Sequence, residues 1–257
     1  MHGLVGHPSE RTGRIDRIQP KPLRLLRGDG PLLKIGHRGA AALAPANTIE
    51  AAEAALVHGA DLIELDVLGG SNEKLVLGHS RRELTEKPVG LDEMLAFLVE
   101  RAPTTGILAD VKFAGREREL VETLRAHGLV ERAMASSSHV STLQSLRRLE
   151  PALARSRTYP RGRVYLGHHR TFIHVTRPVQ WAMRLTLPAR IRRLVDEVGA
   201  SALTLNHRVV SRTTVERCHE LGVAVFAWTV NERAVAERLD ELGVDGVITD
   251  DPRILSR

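Results

Sequence analysis

Residues 32–67 of the chain read LLKIGHRGAAALAPANTIEAAEAALVHGADLIELDV, and the order of segments in this stretch indicates the fold. A short apolar run, LLKIGH, precedes a segment of helical period that begins at about Thr48, where Asn47 and Glu50 fit a capping box. A second apolar run, DLIELDV, follows that segment. A strand, a helix and a strand in this order are typical of a parallel sheet with helical crossovers.

The same alternation continues to the end of the chain. The later apolar runs are KLVLGH, GILADVK, RAMASSS, ALARSRTY, SALTLN, VAVFAWTV and DGVITD. About eight strands with intervening helices over some 220 residues predict an α/β fold, a single-domain (β/α)8 TIM barrel, rather than an open sheet. No glycine-rich loop follows the first strand, which argues against a dinucleotide-binding fold. We assign residues 1–30 to an N-terminal extension and residues 31–257 to the barrel domain.

The composition limits the class of protein and its compartment. Of the 257 residues, 42% are apolar, which is sufficient for one large core. The single cysteine, Cys218, excludes an internal disulfide and favours a reducing compartment. The basic N-terminal stretch contains no continuous apolar run, and no later segment approaches the roughly 20 apolar residues of a membrane span. We therefore expect a cytoplasmic protein that is either free or peripheral to a membrane.

Charged and imidazole side chains stand where predicted strands end, which is where barrel enzymes carry their chemistry. These residues are His37, Arg38, Glu64, Asp66, His79, Asp110 and Lys112. Side chains two apart on a strand point the same way, so Glu64 and Asp66 can approach one cation together, with Asp110 as a third carboxylate. Oxygen ligands without a cysteine or histidine cluster favour one divalent cation, Mg²⁺ or Ca²⁺, over zinc. Pairing of the carboxylates with Lys or Arg at the barrel rim is the alternative.

The imidazoles and cations complete a set suited to metal-assisted cleavage of a phosphate ester. Imidazole titrates near neutral pH, so one of His37 and His79 can act as base while the other acts as acid. Arg38 and Lys112 can hold phosphate oxygens, and salt bridges to the nearby carboxylates are compatible with that role. Trp228, at the end of VAVFAWTV, either floors a substrate pocket or packs in the core.

Several blocks of the chain resemble the glycerophosphodiester phosphodiesterase family. These blocks are IGHRGAAALAPANTIEAAEAALVHGADLIELDV, VLGH, ADVK, VFAWTVN and GVDGVITDDP, and the likeness runs from about Leu33 to Pro252. The resemblance implies a (β/α)8 barrel that hydrolyses glycerophosphodiesters to an alcohol and glycerol 3-phosphate with one divalent cation. It makes His37 and His79 the acid and base, the three carboxylates metal ligands, and Arg38 and Lys112 phosphate contacts.

The chain departs from the family pattern at four places. Ala46 stands where the family usually has Glu, Ser80 where it usually has Asp, and Asp110 where the third ligand is commonly Glu. SRRELTEKPVG leads almost directly from His79 into the next helix, whereas members acting on small glycerophosphodiesters carry a long insertion there. An open mouth is expected, so a lysophospholipase D acting on membrane-derived lipids is the alternative enzyme. Ala46 and Ser80 also keep open a non-catalytic lipid- or phosphate-binding barrel.

The basic charge is concentrated between Pro151 and Val195. This arginine-rich segment holds ten arginines and no acidic residue, interleaved with aromatic and aliphatic side chains. Such a segment suits peripheral contact with an anionic membrane, and the alternative is a solvated segment whose arginines pair with acids elsewhere. No nucleic-acid-binding motif is present, so we expect no nucleic acid partner. The sequence does not indicate the oligomeric state.

Overall fold

The computed structural model describes residues 22–70, 74–160 and 173–256, with the backbone alone for 173–177. Eight parallel strands form a closed barrel, because β1 pairs with both β2 and the last strand, β9. The barrel strands are β1 (Leu33–Gly36), β2 (Leu62–Gly69), β4 (Gly106–Val111), β5 (Ala133–Ser137), β6 (Ala154–Tyr159), β7 (Ala202–Asn206), β8 (Ala224–Trp228) and β9 (Gly246–Thr249). The predicted single-domain (β/α)8 barrel is confirmed.

Helices cover the outside of the barrel and connect its strands. They are α1 (Ile49–Val57), α2 (Leu91–Arg101), α3 (Glu117–Ala126), α4 (Val140–Leu149), α5 (Ile173–Thr186), α6 (Ile191–Asp196), α7 (Arg212–His219) and α8 (Arg233–Glu241). Short 3₁₀ turns occur at Val130–Arg132, Pro188–Arg190 and Pro252–Leu255. None of the helices in the described ranges combines the length and the hydropathy that crossing a bilayer requires.

The apolar run KLVLGH forms a strand, but this strand is not part of the parallel barrel. Residues Leu75–Leu77 of KLVLGH form β3, which pairs antiparallel with the far end of β2. The β2–β3 hairpin rises above the barrel and turns the chain back toward its mouth. His79 therefore reaches the mouth from a hairpin outside the ring of eight parallel strands.

The first helix is capped by Thr48 rather than by Asn47. The Thr48 hydroxyl oxygen accepts a hydrogen bond from the backbone N–H of Ala51 at 3.2 Å. Asn47 lies one residue earlier with a left-handed backbone, φ +62°. Its amide is engaged elsewhere, because it makes two hydrogen bonds with Asp66.

The barrel encloses one apolar cluster and is wrapped by a second. Inside, eight buried residues fill the barrel: Ile35, Leu62, Leu108, Met134, Ala202, Ala224, Phe226 and Ile248. The larger cluster lies between the strands and the helices. Leu23 and Leu25 pack against the inner cluster, and the Leu23 N–H donates to the carbonyl oxygen of Glu131 at 2.8 Å. The described part of the predicted extension thus covers the amino-terminal end of the barrel, while residues 1–21 lie outside the described residues.

Gly39 allows the β1–α1 loop to pass directly over the first helix. Its φ of +87° is disfavoured for other residues, and a Cβ there would lie 2.5 Å from the carbonyl carbon of Ala51. Because that atom belongs to helix backbone, the helix would have to shift as a whole. The loop that carries His37 and Arg38 depends on this contact.

We predict that Gly39→Ala lowers the free energy of unfolding by about 3–5 kcal/mol, since it combines left-handed strain with a backbone clash. Gly115→Ala is the matched control, because Gly115 has a similar φ of +94° but meets no atom within 4 Å. The control should lose only about 1–2 kcal/mol. Chemical denaturation measures both, and equal losses would remove the close approach from the explanation.

Candidate active site

The mouth of the barrel collects the polar residues at the carboxyl ends of neighbouring strands. The chain after β1 supplies His37, whose N–H donates to the carbonyl oxygen of Thr249 on β9 at 2.8 Å. β2 and β4 pair in register so that Asp66 lies beside Asp110. This register places carboxylates from two adjacent strands at the same height.

Three carboxylates form a compact cluster at this mouth. Oxygen atoms of Glu64, Asp66 and Asp110 all lie within 4.8 Å of one another. Glu64 and Asp66 are only 4% and 1% exposed. Burial, followed by the charge of Asp66, raises the pKa of Glu64 to about 7. Concentrated negative charge on hard oxygen atoms is a suitable ligand set for Mg²⁺ or Ca²⁺.

Asp66 is the most heavily contacted member of the cluster. Lys112 Nζ lies 2.9 Å from one of its oxygens, and Arg38 Nε lies 2.9 Å from the other. His79 Nδ1 is 3.5 Å from that second oxygen, and Asn47 donates to it at 3.2 Å. Burial opposes ionisation, but the His79 contact and the charges of Lys112 and Arg38 hold the pKa of Asp66 well below its usual range.

Lys112 and Arg38 tie the three carboxylates together. Lys112 Nζ also pairs with Asp110, so its ammonium group bridges two members of the cluster. Although burial opposes it, the charges of Asp110 and Asp66 raise the pKa of Lys112. The Arg38 backbone N–H donates to Glu64 at 2.7 Å, while the Nε–H has no aligned acceptor among the described residues despite its ion pair. The salt bridges between the carboxylates and Lys or Arg, which the sequence analysis gave as an alternative to metal binding, are therefore present.

His37 is held by the carboxylate of Asp250, which directly follows the last barrel strand, β9. Its Nδ1 lies 2.6 Å from Asp250 Oδ1, and its Nε2 lies 4.0 Å from Glu64. Asn231 donates to the other Asp250 oxygen at 2.5 Å. With Nδ1 directed at a carboxylate, the assigned tautomer leaves Nε2 free to exchange a proton at the mouth. Burial lowers the pKa of His37, but the Asp250 hydrogen bond and the nearby charge of Glu64 raise it overall.

His79 faces a small cleft between the hairpin and the β1–α1 loop. Its side chain is 43% exposed, in contrast to the buried carboxylates. Arg38, Ala46 and Lys87 line the same cleft. Ser80, one of the departures from the family pattern, donates to Glu83 at 2.9 Å within the rim. This rim is short because residues 80–90 return directly to α2.

The model of the glycerophosphoryl diester phosphodiesterase family matches residues 37–92 and 93–254. The chain belongs to this family. The match includes the mouth residues on the β1–α1 loop, β2, the hairpin, β4 and the segment after β9. As a glycerophosphoryl diester phosphodiesterase family member, the protein is a phosphoric diester hydrolase, and the non-catalytic barrel is set aside.

Individual relatives agree with this assignment. A glycerophosphodiester phosphodiesterase of Caldanaerobacter subterraneus is 27% identical over 257 residues, covering 87% of this chain and 96% of the relative. The human lysophospholipase D GDPD3 is 23% identical over 261 residues, covering 85% and 82%. The structure of an Oleispira antarctica phosphodiesterase in complex with the product sn-glycerol-3-phosphate has a TM-score of 0.69 at 19% identity, covering 87% and 94%. That structural likeness concerns the fold.

The site residues predicted for this phosphodiesterase lie in two separate places at the mouth. Asp66, Glu64 and five more of them form one group. Trp228 ends β8 on another part of the wall, where its indole N–H donates to the carbonyl oxygen of Thr204 at 3.1 Å and its ring packs partly on the inner cluster. This packing agrees with the core alternative, and a substrate contact for Trp228 stays a prediction.

Three polar residues of the site were not among the predicted site residues. Asn47, Asn231 and Asp250 all lie in blocks that resemble the family, and Asp250 directly follows β9. Asp250 could have been predicted from its position, since it stands at a strand end as the predicted metal-ligand carboxylates do. Its partner could not be inferred because His37 is 213 residues away in sequence.

We predict that Asp250→Asn lowers kcat about tenfold to a hundredfold with little change in KM. The substituted amide can donate to Nδ1 and so favour the tautomer that carries its proton on Nε2. Asp251→Asn is the control, because Asp251 is an adjacent carboxylate that pairs with Arg253 instead. Steady-state kinetics compare the two, and equal kcat values would contradict the role assigned to Asp250.

Proposed function

We propose that the protein hydrolyses glycerophosphodiesters to glycerol 3-phosphate and an alcohol, with one bound divalent cation and His37 and His79 as base and acid. The observation that carries this proposal is the convergence of three carboxylates, two imidazoles and two cations at one barrel mouth. The names of the relatives support the substrate class.

The carboxylates fit a single divalent cation. Glu64, Asp66 and Asp110 would hold it, since their oxygens lie within 4.8 Å of one another and no softer ligand occurs in the cluster among the described residues. When bound, such a cation supplies positive charge that polarises the phosphoryl group. Ser136 supports the site by donating to Asp110 at 3.0 Å. Both Mg²⁺ and Ca²⁺ remain candidates because each accepts an all-oxygen set.

Arg38 and Lys112 bind and orient the phosphate. Both side chains are partly exposed at the mouth, 23% and 24%, so their N–H groups can reach a ligand while keeping contact with Asp66. Arg38 Nε is buried against Asp66, so the terminal N–H groups of the guanidinium are the donors left for a phosphate oxygen. Positive groups at this place also stabilise the negative charge on the phosphoryl oxygens in the transition state.

His37 is the proposed base of the first step. Its Nε2 accepts the proton of the glycerol 2-hydroxyl while that oxygen forms a bond to phosphorus. The phosphorus–oxygen bond to the alcohol breaks, and the alcohol oxygen takes a proton from His79. Asp250 stabilises the imidazolium formed at His37. Water then opens the resulting cyclic phosphate, with the proton transfers reversed.

A lysophospholipid is the second candidate substrate. Residues 80–90 line one side of the cleft at His79 and lead directly into α2 with no long inserted segment, and Ala46 places only a methyl group there. The human relative named lysophospholipase D supports the same class. The bond cleaved would again join phosphorus to the head-group alcohol.

Calorimetric titration of chelator-treated protein should show one Mg²⁺ or Ca²⁺ site. Asp66→Asn should abolish it, and Asp110→Asn should weaken it, because each removes a charged ligand while keeping the side-chain shape. Asp250→Asn is the matched control, since it removes a carboxylate at the mouth that does not belong to the cluster. Binding unaffected by Asp66→Asn and Asp110→Asn would exclude the cluster as the metal site.

His37→Ala and His79→Ala should each lower turnover by about a hundredfold or more, the usual scale for loss of a positioned acid or base. His127→Ala is the control, because His127 contacts a carboxylate, Asp92, on the outer surface. Turnover is measured on glycerophosphocholine and on lysophosphatidylcholine, and phosphorus NMR follows the cyclic phosphate. Near-normal turnover of both substrates in either variant would show that its role is misassigned.

A further inference from the structure

Helix α5 carries an apolar stripe that faces solvent. Pro178, Trp181, Ala182 and Leu185 recur at the spacing of one helix face and are exposed, with Trp181 at 65% and Leu185 at 58%. The opposite side of the helix is already covered, because Gln180 is buried and Met183 packs against the larger apolar cluster between the strands and the helices. A helix of a soluble domain needs only one apolar face, so this second face calls for an explanation.

The stripe lies at the mouth end of the barrel. β6 ends at Tyr159, on the face where the carboxylates gather. The Arg190 guanidinium lies 5.5 Å from the centre of the Tyr159 ring and donates to its hydroxyl at 3.0 Å. Leu187 joins the last turn of α5 to the 3₁₀ turn that contains Arg190, and its side chain is buried. The carboxyl end of α5 is therefore anchored beside the rim.

The charge around this stripe is positive. Some arginines of the arginine-rich segment make contacts within the protein. Arg155 donates to backbone carbonyl oxygens, and Arg157 pairs with Glu197. Arg184, Arg192 and Arg193 make no ion pair with a described residue, and the latter two are exposed. Residues 161–172 of the segment lie outside the described residues. The membrane-facing surface predicted for the whole segment thus narrows to α5 and its flanking arginines.

We infer that the α5 stripe docks the mouth of the barrel on the surface of an anionic lipid bilayer. A tryptophan and aliphatic side chains insert at the level of the head groups, and the neighbouring arginines contact lipid phosphates. Flanking cations with no acidic residue before Asp196 match an anionic surface better than they match a second copy of the same basic face. The inference rests on the proposed function and deepens it, because it places the mouth where an amphiphilic phosphodiester is found.

The test is co-sedimentation of the full chain with vesicles of phosphatidylcholine, with and without phosphatidylglycerol. Trp181→Gln combined with Leu185→Gln should lower partition onto the anionic vesicles at least about fivefold. Val57→Gln is the control, because Val57 is 76% exposed on α1 at the opposite end of the barrel. Arg184→Gln with Arg192→Gln and Arg193→Gln should also weaken partition, whereas Arg148→Gln, on an exposed turn of α4, should not.

Turnover of soluble glycerophosphocholine separates docking from catalysis. The stripe variants should retain it, because none of the changed residues lies in the mouth. Partition of the stripe variant equal to that of Val57→Gln would overturn the inference, as would equal binding of the parent to neutral and anionic vesicles. A dimer that the stripe substitutions dissociate, without vesicle binding, would assign the surface to a second copy. The parent protein could bind vesicles with the expected dependence on anionic lipid and on the stripe residues and yet show no turnover. That result would support docking and overturn only the proposed function.

Discussion

The electrostatic compensation of Asp66 is the constraint on which the mouth depends. A carboxylate that is 1% exposed costs several kcal/mol to bury unless donors and cations surround it. Arg38, Asn47, His79 and Lys112 provide them from the β1–α1 loop, the hairpin and β4. Each of these residues contacts the same anion. The requirement to stabilise one buried charge therefore positions the groups proposed to handle the phosphate.

The barrel and much of its mouth could be predicted from the sequence because both follow from local patterns. Alternating apolar and helical segments determine the class of fold, and the rule that barrel chemistry lies at strand ends selects Glu64, Asp66 and Asp110. Leu75–Leu77 shows the limit of this reasoning. A short apolar run identifies a strand but contains no information about the direction of its partner, so the pattern alone predicts β3 as a barrel strand.

Other features could not be predicted because they depend on distant partners. Asn47 looks like a helix cap by residue type, yet its amide is used by Asp66, and Thr48 caps the helix. The arginines between 151 and 195 look alike in sequence, but Arg155 is buried against carbonyl oxygens while Arg192 and Arg193 face solvent. Only the packing of α6 and the residues after it separates the structural arginines from those on the surface.

The hydrogen bond between His37 and Asp250 has a consequence for how the enzyme is made. It joins the chain just after β1 to the chain just after β9, across the seam where the barrel closes. During synthesis the carboxylates of β2 and β4 can meet long before β9 exists, whereas His37 acquires its partner only after β9 has emerged and the seam has formed. Under the proposed mechanism, proton transfer by His37 at full rate therefore requires a closed barrel, and hydrolytic activity would report on that closure.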